Sequence, residues 1–290
     1  MLFACSVAVS QVPQGYLNDT GSPAYSITVP VENGYIDVSN GNLHLEFPLS
    51  SPPQRGALSV NERLVYDSRI WMFSPFGTYG SYHWWPYNVY GASQTSGGWR
   101  FVQSNEVGTV SSTTGNSTST QCPYPMDDQN LTTTTSSIIW TDPNGTVHPF
   151  NASFIYTEND CSFPYNPVYS QSVSPGPAAD GSGYSVKDDG SGNPLVIDGD
   201  GTQVYPQIID RYGNYLSQDS SGNLIDDTGR TPVIVTQSGN TTYYDVLAPN
   251  GPINNNGTRV RYTVVTAPVP VETAFLRAMS TSGRQTITHY

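Results

Sequence analysis

The 290-residue chain is 36% hydrophobic and 12% aromatic but only 12% charged, about half the charged share of an ordinary soluble domain. Lys and Glu together number seven while Gly (27) and Pro (23) are abundant, which excludes a coiled coil or a helical bundle. The formal net charge of -12 leaves nothing to neutralise a phosphate backbone, so no nucleic-acid partner is expected.

Residues 1–11, from Met1 to Gln11, read as the back half of a secretory signal, with Ala8 and Ser10 suited to cleavage. Leu2-Phe3-Ala4-Cys5 offers a weaker alternative, a lipoprotein box with Phe3 where a small residue is preferred. No run of 18 apolar residues occurs, so no transmembrane span is expected, and the expected location is secreted or cell surface.

Residues 12–108 read as a sandwich-like N-terminal β module. Tyr25 to Val29 and Ile36 to Val38 alternate, and Asn40-Gly41 leads into Leu43 to Phe47, a tight-hairpin pattern in which both Asn40 and Gly41 take positive φ. Leu58 to Asn61 and Leu64 to Tyr66 continue the alternation. From Trp71 to Phe101 runs an aromatic block interrupted by Gly and Pro, so no helical period persists. Its rings fill a core poor in Leu and Ile, or they form a sugar-stacking platform on which Trp84, Trp85 and Tyr87 would carry a glycan.

Residues 109–137, rich in Ser, Thr and Asn, read as a solvated insertion. Once Cys5 leaves with the signal, Cys122 and Cys161 remain as an even pair in turn-forming contexts, which predicts a disulfide. It would close a loop of about 40 residues and stabilise by about 3 to 4 kcal/mol on a chain-entropy basis.

Residues 138–266 carry a recurring turn, Asp-x-x-Gly followed by Asn or Arg: Asp189 with Gly192, Asp210 with Gly213, Asp219 with Gly222, and Asp226 with Gly229. A related Asp-x-(Asn/Asp)-Gly-Thr turn occurs at Asp142 with Gly145 and at Asp198 with Gly201. Strand-like runs flank each, so the expectation is a mainly β chain of antiparallel hairpin sheets, with residues 267–290 as a tail. Of the 23 acids 17 are Asp, which fits turn chemistry before a cation site.

These motifs resemble the RHS, or YD-repeat, family. Tyr35 to Leu43 followed by Pro48-Leu49 resembles its opening Gly-Asn-Leu element, and Leu64 to Trp71 its Tyr-Asn-Ser strand, with Asp67 in place of Asn. Gly97 to Phe101 resembles its Gly-Trp element. Trp140 to Phe150 and Gly183-Tyr184 are similar to later strands, and Asp210 to Asn214 and Asp226 to Arg230 to repeat cores. The resemblance covers roughly residues 30 to 235. It implies a YD-type repeat sheet in a noncatalytic module of an exported shell, partnered by the rest of an RHS-type polypeptide or by a cargo or toxin domain.

Catalytic signatures are sparse. Glu46, Asp67 and Glu106 are candidate acids that no motif pairs, and Asp127, Asp128 and His148 come with no nucleophile motif. Asp198-x-Asp200-Gly201 opens like a calcium loop but has Ile209 where the bidentate Glu belongs. No cofactor or metal is therefore expected, and carbohydrate binding through the aromatic block is the rival reading to a structural module, with a glycan-degrading enzyme behind it.

Overall fold

The computed structural model describes residues 21–22, 26–52, 54, 56–69, 71–75, 82–86, 98–124, 130–162, 166–248, 258–267, 270–271 and 287–288. Among them the chain is all β, without a helix, and builds three larger antiparallel sheets and two small hairpins.

The first sheet begins with β1 (Thr28–Val31), β2 (Gly34–Asp37), β3 (Leu43–Ser50) and β4 (Glu62–Asp67), each paired with the next. The chain then makes a separate hairpin, β5 (Trp71–Pro75) and β6 (Tyr82–Pro86), and returns as β7 (Trp99–Val102) beside β4. The loop joining β2 to β3 differs from the tight Asn-Gly turn the sequence suggests. Asp37 donates its N–H to Asn42 O and Gly41 donates to Asp37 O, so four residues, Val38 to Gly41, form the loop. Gly41 has φ +74°, but Asn33, in the two-residue turn between β1 and β2, is the described non-glycine with positive φ, and Asn40 is not. The side chains of Asp37 and Asn40 explain the longer loop, because each accepts the N–H two residues ahead and supports an open turn.

The second sheet has four long strands in the order β11-β10-β9-β8: β8 (Thr109–Gln121), β9 (Asn130–Thr141), β10 (Val147–Asn159) and β11 (Val168–Ser174). The Ser/Thr-rich tract is thus β8 and the first part of β9, and β9 runs across the 137/138 boundary. Thr is β-branched and suits a pleated surface, so the polar composition that suggests a solvated insertion here makes a solvated strand pair. Its hydroxyls bond across the strands, Thr132 to Ser119 and Thr134 to Ser117, each at 3.2 Å.

The third sheet has ten strands in strictly sequential order: β12 (Gly176–Pro177), β13 (Ser185–Asp188), β14 (Pro194–Ile197), β15 (Gln203–Tyr205), β16 (Ile208–Ile209), β17 (Tyr215–Gln218), β18 (Leu224–Asp226), β19 (Val233–Ser238), β20 (Thr241–Leu247) and β21 (Arg259–Val265). A last pair, β22 (Pro270–Val271) and β23 (Ile287–Thr288), stands apart from it.

Two cores hold the layers together. Ile138, Trp140, Phe150 and Val173 of the second sheet pack against Val186 and Val196 of the third, a sandwich-like arrangement. Val60, from the segment between β3 and β4, packs with Leu216, Leu224, Val233 and Val246 farther along the third sheet. Phe101 of β7 stacks on Tyr244 of β20 with ring centroids 3.6 Å apart, so the long third sheet is a base on which both other sheets rest.

Candidate functional site

The densest group of ionisable side chains lies on one face of the first sheet. Register sets His44 opposite both Tyr35 and Asp67, and sets Val65 opposite Glu46 and Arg100. Since alternate residues of a strand share a face, Tyr35, His44, Glu46, Arg63, Asp67 and Arg100 project to the same side. His44 Nδ1 is 2.8 Å from Asp67 Oδ1 and Nε2 is 3.1 Å from Glu46 Oε1. Asn42 Nδ2 donates to Asp67 Oδ1 at 2.7 Å, Arg100 Nη2 donates to Asp67 Oδ2 at 3.3 Å, and Arg63 Nε lies 3.5 Å from Glu46. Tyr35 stacks over the imidazole at 4.8 Å. Tyr35, His44, Glu46 and Arg63 line an open cleft of about 780 Å³.

The electrostatics follow from this geometry. Burial draws the His44 pKa down, but the hydrogen bonds and charges of Asp67 and Glu46 outweigh it and hold the imidazole up at about 9. The bond from His44 in turn lowers the pKa of Glu46, and burial, reinforced by the Asp67 charge, raises that of Tyr35. An imidazolium that donates from both nitrogens has no lone pair left to accept a proton, so this His is a poor general base at neutral pH. The two arginines also reach beyond the sheet: Arg63 Nη2 donates to Asn144 Oδ1 at 3.0 Å and Arg100 Nη1 to Pro143 O at 2.5 Å. The cluster therefore clamps the first sheet onto the turn between β9 and β10.

A second buried imidazole repeats the theme. His148 Nδ1 is 2.6 Å from Asp180 Oδ2, and Nε2 is 3.7 Å from Asp142 Oδ2. Trp140 stacks on its ring and Tyr184 meets it edge-on. Burial opposes the charged form, but the nearby Asp142 carboxylate and the bond to Asp180 raise the His148 pKa. Asp180, with bonds from Ser182 and His148, is lowered against its own burial.

Most of the Asp-x-x-Gly turns share one hydrogen-bond scheme, the Asp189 turn differing in that Gly192 N–H goes to the Asp188 carboxylate. At Asp210 the N–H is given to Asn214 O, Gly213 donates to Asp210 O, and Oδ1 accepts the N–H groups of Tyr212 and Asn214. This is a three-residue hairpin loop closed by a left-handed glycine, φ +86° at Gly213, where a Cβ would be strained. The same backbone pair of bonds occurs at Asp142 with Gly145, Asp198 with Gly201, Asp219 with Gly222, and Asp226 with Gly229. The residue after the glycine has its own reason. Asn193, Asn214 and Asn223 donate Nδ2 to the second carboxylate oxygen of Asp189, Asp210 and Asp219, and Arg230 Nε does the same for Asp226 at 2.7 Å. In the Asp198 turn, Oδ1 accepts from Asp200 and Thr202.

Cys122 and Cys161 form a disulfide with Cα atoms 5.4 Å apart. They directly follow β8 and close after β10, so the bond straps these two strands across the start of β9. Of the proposed stacking residues, Trp84 and Trp85 belong to β6, whose backbone pairs with Phe73 and Met72 of β5. The side chains of Trp84 and Trp85, all of Tyr87, and Asp127 and Asp128 lie outside the described residues. Glu106 is separate from the His44 cluster, accepting the Gln103 N–H at 3.1 Å, and burial raises its pKa. Sequence reasoning singled out Glu46 and Asp67 but not the imidazole between them; His44 and Glu46 two apart on an alternating strand were the available signal. No group of three or more His, Cys, Asp or Glu side chains placed to hold a metal ion occurs among the described residues.

No family model matches the chain, and neither curated proteins nor solved structures give a significant match.

Proposed function

We propose that this chain is a noncatalytic structural module of an exported shell or surface protein, as the resemblance to the RHS family implies, and that it packs against the remainder of such a polypeptide or its cargo. The observation that carries this reading is how the buried ions are used. In the His44 cluster each charge is bonded to another, and both arginines tie one sheet to the next, an arrangement suited to rigidity rather than proton transfer. The sequential ten-stranded sheet, regular enough to be extended by more hairpins, supports the same reading. The disulfide, together with the absence among the described residues of a helix long and apolar enough to cross a membrane, is compatible with an extracellular location.

The test is cross-linking of the full polypeptide in its native setting with a carboxylate-directed dihydrazide, since Lys187 is the only lysine. Cross-links from residues 184–248 to a segment outside these 290 residues are expected. Turnover of a glycoside, ester or peptide substrate that is abolished by His44→Gln would overturn the noncatalytic assignment.

A further inference from the structure

Two surfaces that the fold leaves open lie next to one another. The first is the face of the first sheet opposite the His44 cluster. Register sets Val29, Ile36 and Leu43 in one row across it, and Phe47, Leu64 and Phe101 in another. The second row meets the third sheet where Phe101 stacks on Tyr244. The far part of the face is uncovered: Val29, Ile36 and Val38 are 48%, 37% and 57% exposed.

The second open surface is the edge of the third sheet at β21, beyond which no described strand lies. Thr258 O and Thr266 N–H bond β20, so by alternation the backbone groups of Arg259, Arg261, Thr263 and Val265 point away from the sheet. Other edge strands are blunted: β1 carries Pro30, β12 has two residues, and β8 is bulged between Thr113 and Asn116. β21 is seven residues long and contains neither proline nor lysine. The direction in which the third sheet grows connects the two surfaces. Tyr244 of β20 meets Phe101 on β7, and the Tyr262 hydroxyl of β21 donates to Leu49 O on β3. One step along the third sheet thus carries the contact across the first sheet from β7 to β3, with β2 and β1 still ahead.

We infer that β21 accepts a further strand from the remainder of the polypeptide, an extended segment with alternating apolar residues that also covers Val29, Ile36 and Val38. The outward N–H and C=O groups of β21 supply the pairing, and the exposed aliphatic row selects apolar side chains on the inner face. Other occupants fit less well. The chain's own continuation is a poor ladder strand, because Pro268 and Pro270 follow β21, and β22 pairs with β23 instead. A second copy would set Arg259 and Arg261 of one edge beside those of the other, like charges across the ladder. The inference rests on the reading that further polypeptide packs against this module, and it names the edge that is used.

The experiment places p-benzoylphenylalanine at Val265 or at Val29 in the full polypeptide and maps the photo-adducts by mass spectrometry. Both positions are expected to react with one alternately apolar segment outside these 290 residues, and Val168, exposed on β11, with no part of it. Thr263→Pro removes an outward N–H and none directed at β20, so it should cut both yields about tenfold. Thr263→Ser should keep them, with far-ultraviolet circular dichroism and the intact disulfide reporting the fold. Absence of adducts at both positions overturns the inference, as do unchanged yields in folded Thr263→Pro. Persistence of the dihydrazide cross-links in the same sample would then leave the broader packing reading standing, whereas their loss would remove both. Adducts from Val265 to residues 268–290 or to a second copy assign the edge to those occupants and also overturn the inference.

Discussion

The carboxylate of Asp210 accepts the backbone N–H of Ala57 at 3.0 Å, 153 residues earlier in the chain. Its Oδ1 closes its own hairpin turn while Oδ2 bonds both Asn214 and Ala57, so one side chain shapes a turn and docks a distant segment. Those bonds hold its pKa down at about 2 despite desolvation that opposes them. Asp219 has the same local scheme, and its Oδ2 is bonded to Asn223 within its own turn.

That contrast separates turn chemistry from docking. Asp219→Ala should lower the thermal midpoint modestly, and Asp210→Ala should lower it more. Asp210→Asn keeps an acceptor for the turn but can place an amide donor against the Ala57 N–H. Its midpoint should therefore fall below that of Asp219→Asn in differential scanning calorimetry; equal losses would show that the long-range bond contributes nothing.

Reduction of the disulfide should open the far end of the second sheet first. The chain-entropy estimate for this loop, with a sequence separation of 39, is about 3 to 4 kcal/mol. Hydrogen exchange should speed up at Gln121 and Leu131 in Cys122→Ser/Cys161→Ser, while Val196 and Val246, in the two cores, change less. Uniform acceleration across all three sheets would contradict a local strap.

Stability should fall as pH rises from mildly acidic to alkaline. Burial raises the Glu62 pKa to about 7 from 4.5, so the native state keeps a proton that the unfolded chain releases, and stability declines from pH 4.5 as pH rises through 7. His44, at about 9 against 6.5, contributes stability fully present below pH 6.5 and lost as pH rises through 9. Each window is of the order of 1 to 3 kcal/mol. Denaturant midpoints measured across pH 4.5 to 9 should show both declines, Glu62→Gln flattening the lower and His44→Gln the upper. On the acid side Asp210 loses its contribution as pH falls through about 2.

Pro30 should guard the edge of the first sheet. Val38 donates to Ile27 O, and Val31 pairs with Gly34, so residues 27, 29 and 31 bond β2 while 28 and 30 face outward. Pro30 has no N–H to offer there, although Ile27, Val29, Val31, Ile36 and Val38 lie exposed on the strand pair. Pro30→Val restores the donor, and light scattering should then show concentration-dependent association that the parent lacks.

Local turn chemistry was the most legible part of this fold. An Asp whose side chain closes the loop, a left-handed Gly and an Asn at the fifth position are all set within five residues, so the hairpins around Asp210 and Asp219 could be read directly. Asn40-Gly41 was misleading because the competing bonds of Asp37 lengthened the loop. The solvent exposure of the Ser/Thr tract is legible in its polarity, but its strand structure is not, because an edge strand can be polar on both faces. The His44 cluster was half visible. Its acids stood out, but the contact between His44 and Asp67 depends on the β3 to β4 register, and no residue near either one reports it.

The sequential order of the third sheet has a consequence for how the molecule assembles. Each of its hairpins joins neighbours in the chain, so it can zip locally with little loop-closure entropy. The first sheet is in the opposite position: made first during synthesis, it finds its partners for Val60 and Phe101 only when Leu216 and Tyr244 have emerged. The front of the chain must therefore wait, with its docking surface uncovered, for the back to be completed, and final closure of the molecule is timed by its last strands rather than its first.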